Sequence, residues 1–419
     1  MKLIFNNTFL RAISTLISGS IIAQIISLVV APIMTRLYTT EEIGVYTLVL
    51  TGITMFGSVI CGRYDMAIVS ERNEDNVFSL IKLSFFISLV ASILISLGYV
   101  IFYKIEGISP LTTVITMFIL LLSTGIRNIL VSYNNRKREY SLMTSVYVIR
   151  TLFKDITLVL LGLIKAGAIG LILSQIIGEI LGLNRQAKSL KHQFKKIITT
   201  SKDRVIYVSK LHYKQPLYSV PALFANNFSY ASINLFVENL FGLATLGHYY
   251  MTYKILGLPL SVISGNISKV FFQEASREYD KSDHYSKTFL KTTFILLIIA
   301  IPMAFFMFFL APSIFKFIFG LGWERSGDYV KILAPMFAIR FIVTALSPGM
   351  MISKKQNLEL VINFLFIIMS VIAFISSKML SLDIVQFLTI ISISYSFIYA
   401  FAFLILIRNA FKKKGYAKS

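Results

Sequence analysis

The stretch RLYTTEEIGVY, Arg36 to Tyr46, follows the first long apolar segment of the chain, and a near copy, NLFGLATLGHY, returns 203 residues later at Asn239 to Tyr249. At that offset Leu37 meets Leu240, Gly44 meets Gly247 and Tyr46 meets Tyr249, and further on Gly62 of CGRYD meets Gly265 of SGNIS. The same turn written twice reads as a duplicated unit, each copy opening on one hairpin whose glycine permits a tight backbone where the second helix starts.

Composition says what the units are made of. Of 419 residues 56% are hydrophobic and 15% charged, and the mean hydropathy is +0.74, more apolar surface than one soluble core hides. A span needs about 20 apolar residues, and such stretches read at 8–35, 43–62, 77–103, 110–133, 141–164, 166–184, 216–238, 245–272, 288–312, 328–352, 357–377 and 383–407. The runs are continuous, whereas a barrel strand alternates apolar and polar over about ten residues. The first run is too long for the core of a secretory signal and no small-residue cleavage site follows it, so it reads as a retained helix. The expected fold is an all-α polytopic membrane protein of about twelve transmembrane helices.

Lys and Arg concentrate on the cytoplasmic side of such proteins. With the N-terminus inside, 29 of the 41 fall on inside arms and loops and 7 outside. The remaining five, Arg127, Arg150, Lys154, Lys254 and Arg340, lie within spans. The net charge of +21 is therefore largely a topology signal, with both termini cytoplasmic. The longest inside loop, Arg185 to Lys214, carries nine cations, and its KSLKHQFKKII suits an amphipathic helix lying on anionic lipid heads. This loop divides six helices from six, giving lobes at 1–184 and 216–419 around a basic linker at 185–215. Six is even, so the repeat is parallel, related by an axis along the membrane normal. Nucleic acid is not an expected partner, since no soluble module carries the charge.

Polar residues inside spans mark function. Arg150 and Lys154 lie four residues apart on one face of the fifth helix with Tyr147 and Thr151. Asp155 is their local partner by sequence, with Glu179 on the sixth helix as another. Asn226, Tyr230, Asn234 and Glu238 recur every four residues, a stripe suited to sugar hydroxyls or to holding helices together. Lys254 and Arg340 add cations from the second lobe. Arg63 reads both as a partner of Asp65 and as a phosphate contact at the inner membrane face. Arg127 and Arg340 also read as snorkelling cations or as packing partners of a carboxylate, and Gly178 with Gly182 as a GxxxG packing motif. Asp155 and Glu179, the carboxylates deep within spans, are the ion-coupling candidates, Glu179 foremost because no cation adjoins it in sequence.

No G-x-x-x-x-G-K-[ST] motif is present, which leaves an ion, proton or cargo gradient as the driving force. The single cysteine, Cys61, excludes an intrachain disulfide. His192, His212, His248 and His284 show no metal spacing and read as interfacial. No cofactor is expected.

An apolar first helix ending in RLYTTEEIGVY, a second ending in GRYDMAI and a second-lobe counterpart running through FFQEASRE resemble the polysaccharide transporters of the MOP superfamily, most closely the Wzx-type O-antigen flippases, over nearly the whole chain. The resemblance implies two lobes around a central cavity in the bacterial inner membrane. It also implies transport, not catalysis: undecaprenyl-pyrophosphate-linked oligosaccharide moves from the cytoplasmic to the periplasmic leaflet by alternating access, with a polysaccharide polymerase and a chain-length regulator as partners. Such a cargo needs a wet cationic channel through about 30 Å of hydrocarbon, and Arg63, Arg150, Lys154, Lys254 and Arg340, with Asn226, Tyr230 and Asn234, are the residues able to line it. A MATE-like exporter of small molecules and a membrane polymerase or ligase are the alternatives. The expected interior has the wrong sign for a cationic drug, and the longest outside loop, about 312–327, is short for an enzyme.

The charge count generates a topology test. A cysteine at position 195 (Lys195→Cys, in a Cys61→Ala background) is expected to react with a membrane-impermeant maleimide only after the cytoplasmic face is opened; labelling in intact spheroplasts overturns the orientation.

Overall fold

A computed structural model describes residues 7–103, 105–353 and 355–412. Lys2, Lys104, Lys354, Lys413, Lys414 and Lys418 of the charge count lie outside the described residues, among which all regular structure is helical. The chain divides into two compact units, the first ending at Ala231 and the second beginning at Ser232.

The repeated turn is a helix start. After α1 (Asn7–Leu37), Thr39 caps α2 (Thr40–Phe56). The Thr39 hydroxyl accepts from the Glu42 N–H at 3.2 Å and the Glu42 carboxylate accepts from the Thr39 N–H at 2.8 Å. Two otherwise orphaned donors are satisfied reciprocally. In the second copy, 203 residues on, the residue matching Thr39 is Gly242, which breaks α12 (Val220–Pro259) with a φ of 81°. The conserved-looking pair Gly44 and Gly247 is not the hinge, since both lie inside helices. The first copy turns on a side-chain cap and the second on Gly242, whose missing Cβ admits the left-handed φ.

The second coincidence also has a backbone meaning. Beyond α2 the chain unwinds through turns to Gly62 and Arg63, both with positive φ, before α3 (Tyr64–Ser70). At the same offset the second copy has a π-helical turn, Leu260–Ser264, ahead of α13 (Gly265–Ser282).

The first unit continues with α4 (Glu74–Phe102), α5 (Pro110–Arg136), α6 (Tyr140–Leu163) and α7 (Gly167–Ile180). The second is completed by α14 (Ser286–Phe319), α15 (Glu324–Leu346), α16 (Pro348–Ile352), α17 (Gln356–Met379) and α18 (Ile384–Phe411). Nine helical stretches among the described residues are long and apolar enough to cross a membrane. One of them, Gln215–Ser282, has 68 residues and bends at Gly242, enough for two crossings. The 17 residues of α2 are at the lower limit for a span, and α6 is long enough but carries Arg150, Lys154 and Asp155. With these the count reaches the expected twelve.

Packing is that of a lipid-facing helix. On α4, Ser84, Ser88, Ser92 and Ser96 are buried at intervals of four, while Phe86, Leu94 and Ile101 face outward. In lipid the apolar face has no reason to hide, and small residues win the interface because they let helices approach. A Cβ on Gly125 of α5 would come 2.7 Å from that of Ser88.

The basic linker is helical in short pieces, and KSLKHQFKKII does not run as one helix. It breaks into α8 (Leu183–Gln186), α9 (Lys188–Lys191) and α10 (Phe194–Thr199), followed by α11 (Lys202–Leu211), which Ser201 caps. It packs within the first unit, where Lys82 of α4 donates to the carbonyls of Ile198 at 2.9 Å and Thr200 at 2.7 Å, and Arg204 pairs with Asp75 at 3.1 Å. Lysine at a helix C-terminus satisfies orphaned carbonyls, so the Lys82 contact fixes where α10 stops.

Candidate functional site

The two glycines of the GxxxG pair set the site. A Cβ on Gly178 would lie 2.7 Å from the Lys154 Cβ, and one on Gly182 would lie 2.9 Å from Val146 and 3.3 Å from the Arg150 side chain. Only glycine lets α6 lie this close to the end of α7. The Arg150 guanidinium therefore reaches the α7 backbone, donating from Nε to the Gly178 carbonyl at 2.9 Å, and pairs through Nη2 with Glu179. From α5, Arg127 Nε donates to the same Glu179 oxygen at 3.0 Å. The second Glu179 oxygen faces Gln175 Nε2 at 3.5 Å, and Gln175 Oε1 accepts from the Tyr46 hydroxyl at 3.1 Å. Thus the last residue of the opening motif closes the network.

This cluster is largely withdrawn from solvent: the Arg150 side chain is 13% exposed and that of Glu179 11%. Two guanidiniums and one carboxylate leave one positive charge in excess. Burying ions costs several kcal/mol each unless the pairing and hydrogen bonding are good, and a surplus cation inside a membrane helix bundle marks a candidate site. Beside it is a cavity of about 200 Å³ lined by Arg127, Thr144, Tyr147, Arg150 and Gln186. The Gln186 side-chain oxygen is buried there with no hydrogen-bond partner.

One expectation is corrected here. Asp155 pairs with Lys154 at 3.2 Å and accepts from Ser27 of α1 at 2.7 Å, but it does not hold Arg150. Glu179, the other partner the sequence offered, holds Arg150 and Arg127 although no cation adjoins it in sequence. The reason is helical geometry: five residues turn the helix by about 140° net, so Asp155 points to α1 while Arg150 points to α7. Arg127 belongs to the same cluster, although sequence reasoning left it out of the site. Its partner stands 52 residues away on another helix, and nothing in the sequence signals that approach.

Arg63 occupies the left-handed region at φ 63°, uncommon for a residue with a Cβ. Its Nε and the Oδ1 of Asp65 are both buried without a hydrogen-bond partner. The two are charge neighbours: burial pushes the Asp65 carboxyl above its ordinary range and the Arg63 charge opposes that rise.

Along α12, Asn226 and Tyr230 belong to the first unit and Asn234 to the second, all three half-buried. Their neighbour Asn227, not singled out by the four-residue spacing, donates to Ser58 at 2.6 Å. In the second unit Arg340 donates to the Tyr253 hydroxyl at 2.7 Å and lies over the rings of Tyr253 and Phe337 at 5.5 and 5.2 Å. Lys254 lies 5.9 Å from the Tyr250 ring. His248, read as interfacial, is buried, bonded to Ser326 at 2.9 Å and set edge-on to Trp323.

Comparison with known proteins follows the same lines. A family model described as polysaccharide biosynthesis protein matches residues 33–328. No curated protein matches the sequence. Among solved structures, the inward-closed lipid II flippase MurJ superposes with a TM-score of 0.70 at 13% identity, covering 94% of this chain and 89% of its own. An inward-facing multidrug resistance MATE family transporter of the MOP superfamily gives 0.69 at 13% identity, covering 92% and 94%. A MOP superfamily transporter from Pyrococcus furiosus, described by a binding pocket of reverse polarity that suggests a different function, gives 0.64 at 12% identity, covering 96% and 95%.

Removing the carboxylate while leaving both guanidiniums is the sharpest test of the cluster. Glu179→Ala is expected to destabilise the detergent-solubilised protein by about 3 kcal/mol, the scale of a broken buried pair, read by thermal or chemical unfolding. A loss indistinguishable from that of an exposed lipid-facing substitution contradicts the arrangement.

Proposed function

We propose, starting from the fact that this chain belongs to the polysaccharide biosynthesis protein family and has the fold of MOP-superfamily transporters, that it is a flippase for lipid-linked oligosaccharide. In this reading it carries an undecaprenyl-pyrophosphate-linked repeat unit from the cytoplasmic to the periplasmic leaflet of the bacterial inner membrane. Both termini are cytoplasmic, and 1–184 and 216–419 are the two lobes that alternate access around the linker. A polymerase and a chain-length regulator would act on the delivered product.

The observation that supports this best is the sign of the Arg127–Glu179–Arg150 cluster. A cavity with surplus guanidinium donors suits a pyrophosphate, whose oxygens accept bidentate pairs, and repels a cationic drug. Glu179 then acts as a resident counter-ion. In the empty carrier it holds Arg127 and Arg150, sparing them unpaired burial. Arriving pyrophosphate displaces it, and on release the carboxylate reclaims its partners. Lys154, Lys254, Arg340 and Arg63 extend the cationic path, and Asn226, Tyr230 and Asn234 meet the glycan. Asp155 and Glu179 stay the candidates for coupling to an ion, Glu179 now because its charge decides whether the arginines are free for cargo.

Reconstituted protein tests this. Arg150→Ala is expected to lower flipping of pyrophosphate-linked oligosaccharide by roughly tenfold or more, the loss of one charge-assisted contact, with Arg150→Lys partly active. Full flux in Arg150→Ala contradicts the reading, and flux of cationic dyes in its place supports an exporter.

A further inference from the structure

A second cavity, of about 740 Å³, lies under the broken linker within the first unit, walled by α4, α5 and the segment from the end of α7 to α10. Its size falls within the range of small-molecule sites. The lining is hydrocarbon, including Phe85, Ile129, Leu130, Ile180, Phe194 and Ile198. Cations stand at its edge. Lys82 is already committed to the Ile198 and Thr200 carbonyls, but Lys191 lines the cavity, is exposed, and has no ion-pair partner among the described residues. Arg185, Lys188 and Lys195 along the same segment are likewise exposed and without ion pairs among the described residues.

Neighbouring acids do not answer this charge. Glu74 pairs with Lys137 at 3.1 Å, Asp75 with Arg204 at 3.1 Å, and Glu71 with His212 at 3.0 Å. Glu139 accepts from Ser189 and pairs with no cation among the described residues. Lys191 is left able to meet an anion from outside the chain. Phe194 and Ile198 are each about 60% exposed, and apolar side chains presented beside lysines on one short helix are the pattern of a segment resting at the membrane interface. This pattern suits a groove that opens at headgroup depth.

We propose that this groove binds one anionic phospholipid, an acyl chain lying between α4, α5 and α10 and its phosphate on Lys191, with Lys188 and Lys195 adding long-range attraction. The apolar cleft alone would take any chain and the lysines alone any polyanion; the two together select an amphiphilic anion. Such a lipid bridges the linker to α4 and α5, so its binding stabilises the packing that the Lys82 contacts begin.

Full-length protein in maltoside detergent, titrated with dioleoylphosphatidylglycerol and with dioleoylphosphatidylethanolamine and followed by native mass spectrometry, tests this. The glycerol lipid is expected to bind more tightly. Lys191→Gln is expected to weaken it about fivefold, the worth of one interfacial cation. Ile180→Trp, at a half-exposed wall position, is expected to weaken both lipids by filling the cleft, with lipid-free melting unchanged. Equal binding of the two lipids, or unchanged binding in both variants, overturns the proposal. So does displacement of the glycerol lipid by equimolar undecaprenyl phosphate, which would make the groove a cargo site.

Discussion

One carboxylate between two guanidiniums organises the first unit. Glu179 draws Arg127 from α5 and Arg150 from α6 onto α7, and through Gln175 and Tyr46 it is tied to α2. Four helices meet on it. The contact exists only because Gly178 and Gly182 carry no Cβ: any larger residue there would push α6 away and leave ions buried without partners, a cost of several kcal/mol. Packing and electrostatics are thus the same constraint, seen from the backbone and from the side chains.

The fold was largely legible in the sequence because lipid imposes coarse rules. Apolar runs located the helices closely: 110–133 against α5 at Pro110–Arg136, 141–164 against α6 at Tyr140–Leu163. The TTEE of the opening motif is a capping box, a signal carried by four adjacent residues. Where reading by pattern faltered, function or tertiary contact was the cause. Three charges, Arg150, Lys154 and Asp155, interrupt the apolar run of α6, and they are the residues proposed for the site. Periodicity gave the face that Arg150 shares with Lys154 but not the helix that face would meet, so it left Asp155 and Glu179 both open as the partner of Arg150. Within the linker, KSLKHQFKKII was expected as an amphipathic helix; it breaks between Lys191 and Phe194, and the Lys82 contacts and the Ser201 cap separate α10 from α11.

The fold alone leaves the cargo open, since a lipid II flippase and a multidrug transporter superpose almost equally well on this chain. What separates readings is the sign of the interior. Here the buried surplus in the first unit is positive, while the second unit holds Arg340 against aromatic rings. Guanidiniums stacked on rings keep their charge and their donors, so each unit holds arginine within its helices, the first on Glu179 and the second against Tyr253 and Phe337.

The central claim is that Glu179 and a phosphate compete for the same two arginines, and calorimetric titration of inorganic pyrophosphate into purified wild-type and Glu179→Gln protein measures this competition directly. Removing the competing charge while keeping the side chain's shape is expected to tighten binding about tenfold, near 1.4 kcal/mol. Equal or weaker binding by a folded Glu179→Gln protein would contradict the account.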